Sequence, residues 1–161
     1  MKTTIQDLEI IPFRPEFQAA ARALVLAGLA EHWKTMETDK NPDLDDIAAF
    51  YQSGLFLIAR SGGTIIATGA YLPGTHATAE IVRMSVQKEM RRKGIGRLIL
   101  DELCKNAAKS GYRRLILETT ASWQGAVAFY LSYGFRMTHH QAGNTWFELP
   151  RFPGDFVERP Q

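Results

Sequence analysis

The chain has 161 residues, of which 45% are hydrophobic and 22% charged, and these values fit a single soluble globular domain over residues 1–161. A net charge of +2 is too small to argue for a nucleic-acid partner, and no apolar run approaches membrane-spanning length. The first residues lack the apolar core of a secretory signal, and the single Cys104 cannot form an internal disulfide, so a reducing cytoplasm is the expected setting.

Leu8 to Pro12 reads as a short strand closed by proline. Pro15 suits the first turn of a helix running to Ala30, with Phe17, Ala21, Leu24 and Val25 on one face and Gly28 weakening the stripe. Glu31 to Asp46 is acidic: six carboxylates stand against Lys34 and Lys40. Within it, Asn41-Pro42-Asp43 ends one segment and opens another, with Asp43 as a cap and Leu44, Ile47, Ala48 and Tyr51 as an apolar stripe. Leu55 to Arg60 and Thr64 to Leu72 are strands joined by the hairpin signal Ser61-Gly62-Gly63, and Pro73-Gly74 turns the chain into a strand from Thr78 to Val86.

A helix-patterned run follows, with Ile95, Leu98, Ile99, Leu103 and Ala107 on one face and Gly111 at its stop. Cys104 lies inside this pattern and reads as a small core residue. Arg114 to Thr119 is a strand, and Gln124 to Tyr133 a helix ended by Gly134. Phe135 to His139 and Thr145 to Leu149 form a last hairpin. The order β-α-α-β-β-β-α-β-α-β-β contains no repeat and no linker of domain scale. The helix from Ile95 crosses between two strands, as a parallel pair requires. The fold class is α/β, a mixed sheet with helices on both faces.

The segment Arg91-Arg92-Lys93-Gly94-Ile95-Gly96 joins a strand to a helix. Gly94 and Gly96 let a ligand approach the main chain, and the first helical turn offers N–H groups without intrahelical acceptors. Phosphates bind well at such a place, and three basic side chains add charge. A dinucleotide fingerprint is excluded because Ile99 stands where its third glycine belongs. A Walker loop is excluded because Gly96 is followed by Arg97 and Leu98.

Arg91-x-x-Gly94-x-Gly96 resembles the acyl-CoA signature of the GNAT superfamily of N-acetyltransferases. Glu80 to Val86 is similar to that family's fourth strand, and Ala126-Val127-Ala128-Phe129-Tyr130-Leu131-Ser132-Tyr133-Gly134-Phe135 to its Ala-x-x-Phe-Tyr-x-x-x-Gly-Phe block. Element order matches from Leu8 to Leu149, specific motifs only from about Glu80 to Phe135. Trp123 departs from the pattern, standing where the family often has an asparagine that holds the pantetheine arm.

The resemblance implies a mostly antiparallel sheet with one splayed parallel pair, and acetyl-CoA as co-substrate with no metal. Main-chain groups of Met84 and Val86 would hold the pantetheine arm, an N–H near Met84 would polarise the thioester carbonyl, and Arg91, Arg92, Lys93, Gly94, Ile95 and Gly96 would enclose the diphosphate. The acyl group would pass directly to a primary amine of a small molecule or peptide in a ternary complex. Many members are dimers, so a homodimer is one arrangement the resemblance allows.

Such a reaction needs a neutral amine, whereas an alkylamine with a pKa of about 10.4 is a cation at neutral pH. Glu80, in an otherwise apolar strand, is the candidate base; the alternative is an edge carboxylate paired with Arg83 or a neighbouring strand. His76, His139 and His140 are fallback bases or plain surface histidines, and their spacing resembles no metal site. Tyr130 is the candidate acid for the departing thiolate; the alternative is a core tyrosine. The acidic segment with Trp33, Trp146 and Phe147 would suit a cationic acceptor. Two rival functions stand beside this one. The first is an acyl-CoA-binding module without turnover, for which Trp123 argues. The second is a nucleic-acid-binding surface over Lys88 to Arg97, which lacks interleaved aromatics.

Overall fold

The computed structural model describes residues 7–31, 41–150 and 152. Its strands are β1 (Leu8–Pro12), β2 (Leu55–Ser61), β3 (Thr64–Pro73), β4 (Thr78–Val86), β5 (Arg114–Thr120), β6 (Arg136–Gln141) and β7 (Asn144–Leu149). Its α-helices are α1 (Gln18–Ala30), α2 (Ile47–Phe50), α3 (Ile95–Lys109) and α4 (Gln124–Tyr133), with single 3-10 turns at Pro15–Phe17, Pro42–Leu44 and Lys88–Met90. The order of elements is the one the periodicities predict. The strands bond in the order β1-β2-β3-β4-β5-β7-β6. β4 and β5 are parallel, whereas β1–β2, β2–β3, β5–β7 and β6–β7 are antiparallel. This is the expected mixed, mostly antiparallel sheet.

The chain packs as two compact units, Met1–Leu72 with Arg83–Leu103, and Pro73–Val82 with Cys104–Gln161. In the first unit the apolar face of α1 buries Ala21 and Val25, and the start of α3 buries Ile95, Ile99, Leu100 and Leu103. Leu98, expected on that face, is 43% exposed, and Leu100 is buried in its place. Gly28, which weakens the α1 stripe on paper, is a point of close approach: a Cβ there would stand 2.9 Å from Ser85 Oγ on β4. Gly69 of β3 is tighter still, since a Cβ would collide with Met84 Sδ and the side chain of Ile99.

The acidic segment differs from expectation. The cap of α2 is Asp46, which accepts from the Ala49 N–H at 3.2 Å, and not Asp43. α2 is only four residues long; Leu44, Ile47 and Tyr51 are buried, but Ala48 is exposed.

In the second unit, β5 sets Leu115 opposite Leu149 and Leu117 opposite Phe147 on β7. These four side chains are buried, as are Tyr130, Tyr133 and Phe135. Cys104 is wholly buried and accepts a hydrogen bond from the Tyr133 hydroxyl at 3.6 Å, as befits a core residue. Every residue of the edge strand β6 is exposed.

Gly69→Ala is expected to lower unfolding free energy by about 1–3 kcal/mol, the usual cost of overpacking, in urea titration. Gly125→Ala, in α4 with nothing within 4 Å of the added Cβ, should instead gain about 0.5 kcal/mol by the same titration.

Candidate active site

In the first unit, β4 leaves the sheet through the turn at Lys88–Met90 and a loop that ends at α3. Gly94 closes this loop at φ +83°, and a Cβ there would meet nothing within 4 Å. Its carbonyl accepts from the Leu98 N–H at 3.1 Å, so the helix starts here and the amides of Ile95 and Gly96 fall in the first turn, where intrahelical acceptors are lacking. Arg92, at φ +62°, and Lys93 are exposed beside it. A backbone cradle at the positive end of a fifteen-residue helix, flanked by cations, suits a diphosphate.

Arg91 does more than add charge. Its Nη1 and Nη2 donate to Glu31 at 2.8 and 3.0 Å, and its Nε donates to the Val86 carbonyl at 3.0 Å. The guanidinium thus ties the cradle to the region just after α1 and occupies a main-chain acceptor of β4.

Met84 and Val86, half-buried, follow a left-handed residue inside that strand. Arg83 has φ +54°, a left-handed conformation for which a non-glycine residue is penalised by about 1–3 kcal/mol. Its carbonyl accepts from the Thr68 hydroxyl at 2.8 Å, and just past the end of the strand the Gln87 N–H bonds to the Ile66 carbonyl at 2.8 Å. The Arg83 side chain meets Asp43 in a two-point pair: Nε donates to Oδ2 at 2.8 Å and Nη2 to Oδ1 at 2.7 Å. Nη2 also donates to Asn41 Oδ1 at 3.0 Å, and the Tyr51 hydroxyl donates to Asp43 Oδ2 at 2.7 Å. Burial opposes charge on Asp43, but the bonds from Arg83 and Tyr51 together outweigh it and hold the carboxyl below its ordinary range. Burial, and then the neighbouring carboxylate, push the Tyr51 phenol up.

In the second unit, Glu80 of β4 lies opposite Ile116 of β5. Burial raises its carboxyl above the ordinary value, and the negative charge of Glu118 raises it further. Arg83, the suggested alternative partner of Glu80, is held by Asp43 instead. The Tyr130 ring packs edge-on against Phe129 and Phe135 at 5.1 and 5.6 Å and tilts against Phe147 at 6.2 Å. Burial pushes its phenol up, so the hydroxyl keeps its proton at neutral pH. His139 stacks on Trp146 at 5.7 Å, and His140 Nδ1 lies 2.9 Å from Thr145 Oγ1. His76 is exposed.

Likeness to known proteins decides the family. The sequence model of the acetyltransferase (GNAT) family matches residues 22–135. The chain belongs to that family. Rattus norvegicus N-acetyltransferase 8F1 is 31% identical over 121 residues, 70% of this chain and 54% of that protein. Azospirillum brasilense IAA acetyltransferase is 36% identical over 81 residues, 50% of this chain and 53% of that protein. The chain spans about half the length of these curated relatives. A GNAT-family acetyltransferase from Staphylococcus aureus Mu50 superposes with a TM-score of 0.81 at 20% identity, over 88% of this chain and 97% of the other. The PaiA N-acetyltransferase of Thermoplasma acidophilum, solved in complex with coenzyme A, gives 0.78 at 18% identity, over 89% and 98%. At such identities these two likenesses establish the GNAT fold alone.

The GNAT motifs do not reveal the side chains that support the loop and strand. Glu31 and Asp43 sit in the acidic segment that was expected to face a cationic acceptor, yet each is joined to an arginine of its own unit. Phe147, expected as part of the acceptor wall, is 1% exposed and belongs to the core, whereas Trp33 lies outside the described residues. The signal that could have found Asp43 is Tyr51 eight residues on, a polar aromatic in an apolar stripe.

Because the folded-state pKa of Glu80 lies above its unfolded value, its protonated form favours folding. That contribution is complete below the ordinary carboxylate value of about 4.3 and is lost as pH rises through the folded value. Glu80→Gln, which mimics the protonated side chain, should therefore raise Tm at pH 7 to 8. Scanning calorimetry across pH should show the gain disappearing below about pH 4.

Proposed function

We propose that this chain is an acetyl-CoA-dependent N-acetyltransferase acting on a primary amine of a small molecule or peptide. The observation that carries the reading is the cradle at the start of α3, where left-handed Gly94 leaves open space in front of a helix N-terminus. The T. acidophilum relative in fold binds coenzyme A, which supports the same ligand here.

In this reading Gly94, Ile95 and Gly96 hold the diphosphate through main-chain N–H groups, with Arg92 and Lys93 supplying charge and Arg91 bracing the loop. Main-chain groups of Met84 and Val86 hold the pantetheine arm, and an N–H at Met84 donates to the thioester carbonyl. Acetyl-CoA supplies a thioester, an acyl carbon activated toward nitrogen. Glu80 accepts a proton from the ammonium group of the acceptor, directly or through a water. The freed nitrogen attacks the carbonyl carbon, the C–S bond breaks, the Tyr130 hydroxyl gives its proton to the departing sulfur, and the second proton of the acylated nitrogen passes back to the Tyr130 oxygen, directly or through a water, leaving a neutral amide. The raised carboxyl of Glu80 and the protonated phenol of Tyr130 suit those directions of transfer.

A second reading, an acyl-CoA-binding module without turnover, draws on Trp123. It stands directly before α4 and contributes no side-chain cap to that helix.

The two separate in an assay of CoA release over a panel of amines, with acetyl-CoA binding followed by calorimetry. Tyr130→Phe and Glu80→Gln should each lower kcat by about a hundredfold or more while acetyl-CoA still binds. Gly94→Ala should weaken acetyl-CoA binding itself. Binding by the wild type with no CoA release from any amine would favour the module, and no binding would remove both readings.

A further inference from the structure

The left-handed turn inside β4 is held by more side chains than a strand needs. Arg83 carries a left-handed backbone in the middle of a strand of nine residues. An arginine gains nothing intrinsic from that conformation, and a glycine would adopt it freely. Three contacts fix it. Asp43 grips the guanidinium at two points, at 2.7 and 2.8 Å, Asn41 adds a third bond to it, and the Thr68 hydroxyl takes the Arg83 carbonyl. Tyr51 fixes Asp43 in turn. Asp43 is 7% exposed and joined to the chain forty residues away, so this is a built contact and not a surface pair.

The next residue is Met84. A left-handed residue reverses the alternation of a strand, so the amide that follows it leaves the direction that a regular ladder would give it. We propose that Asp43, with Tyr51 and Thr68, is a positioning clamp that holds Arg83 left-handed and thereby aims the Met84 N–H at the thioester carbonyl. This rests on the acetyl-CoA reading above. In it Asp43, Tyr51 and Thr68 touch no substrate, and they act through the backbone of Arg83. The clamp also gives the buried part of the acidic segment a role in the rate of transfer and none in acceptor charge.

Two double variants isolate the backbone effect. D43N/R83A removes the ion pair and leaves a residue that resists φ +54°, whereas D43N/R83G removes the same pair and leaves one that accepts it. Both are compared with wild type at a temperature where circular dichroism shows them folded. CoA release gives kcat, with amine or water as acceptor, and calorimetry gives the Kd of CoA, which has no carbonyl to orient. D43N/R83A is expected to lose about tenfold or more in kcat, equivalent to about 1.4 kcal/mol, and D43N/R83G to recover most of it. The Kd of CoA should move less than twofold in both. Equal kcat in the two doubles, whether impaired or like wild type, overturns the clamp. If either double fails to fold, Tyr51→Phe repeats the test at smaller amplitude: a lower kcat with unchanged CoA affinity supports the clamp, and an unchanged kcat overturns it. Absence of acetyl-CoA binding by the wild type is a separate result that removes the underlying reading.

Discussion

A partly buried carboxylate–guanidinium pair, Asp43 with Arg83, is the contact on which the proposed geometry of β4 depends. A charge taken out of water must be met by another charge and by hydrogen bonds, or the buried group becomes a liability of several kcal/mol. Here Tyr51 and Asn41 complete the set, so the pair stays ionised and directional. Its effect is geometric. It holds the left-handed turn inside β4, and the two residues proposed to hold the pantetheine arm follow directly.

The same logic runs through the loop after β4. Anion binding by a main chain requires amides that no carbonyl has claimed, and amides of that kind exist only where secondary structure begins or breaks. Gly94 and the start of α3 supply the beginning, and left-handed Arg83 supplies the irregularity on which the proposed clamp acts. Close approach of β3 at Gly69 and of α1 at Gly28 packs structure tightly behind them. Side chains that look charged and available in the sequence are the supports of this arrangement. Of the acidic residues between Glu31 and Asp46 that the structure describes, Glu31 and Asp43 bond to arginines, Asp46 caps α2 and Asp45 lies 4.0 Å from Arg22.

Much of the fold was legible because strand and helix periods are local. The alternation from Thr78 to Val86, the glycine turn and the α4 pattern ending at Gly134 each declare themselves within ten residues or so, and their order predicts the sheet. Asp43 escaped because its partner is forty positions away, and an aspartate after Asn-Pro is locally indistinguishable from a helix cap. Leu98 escaped for a related reason: a helix stripe has soft edges, and tertiary packing chose Leu100 over it. At the site, the motif marked the backbone cradle at Gly94 but not the state of Arg91, whose guanidinium is shared between Glu31 and a strand carbonyl.

That sharing has a thermodynamic corollary. An anion that recruits the Arg91 guanidinium must first displace Glu31, so one ion pair is exchanged for another and little net counter-charge is gained. Added electrolyte screens the pair that breaks as well as the pair that forms. Affinity for a polyphosphate ligand should then respond to ionic strength more weakly than the basic run Arg91-Arg92-Lys93 suggests.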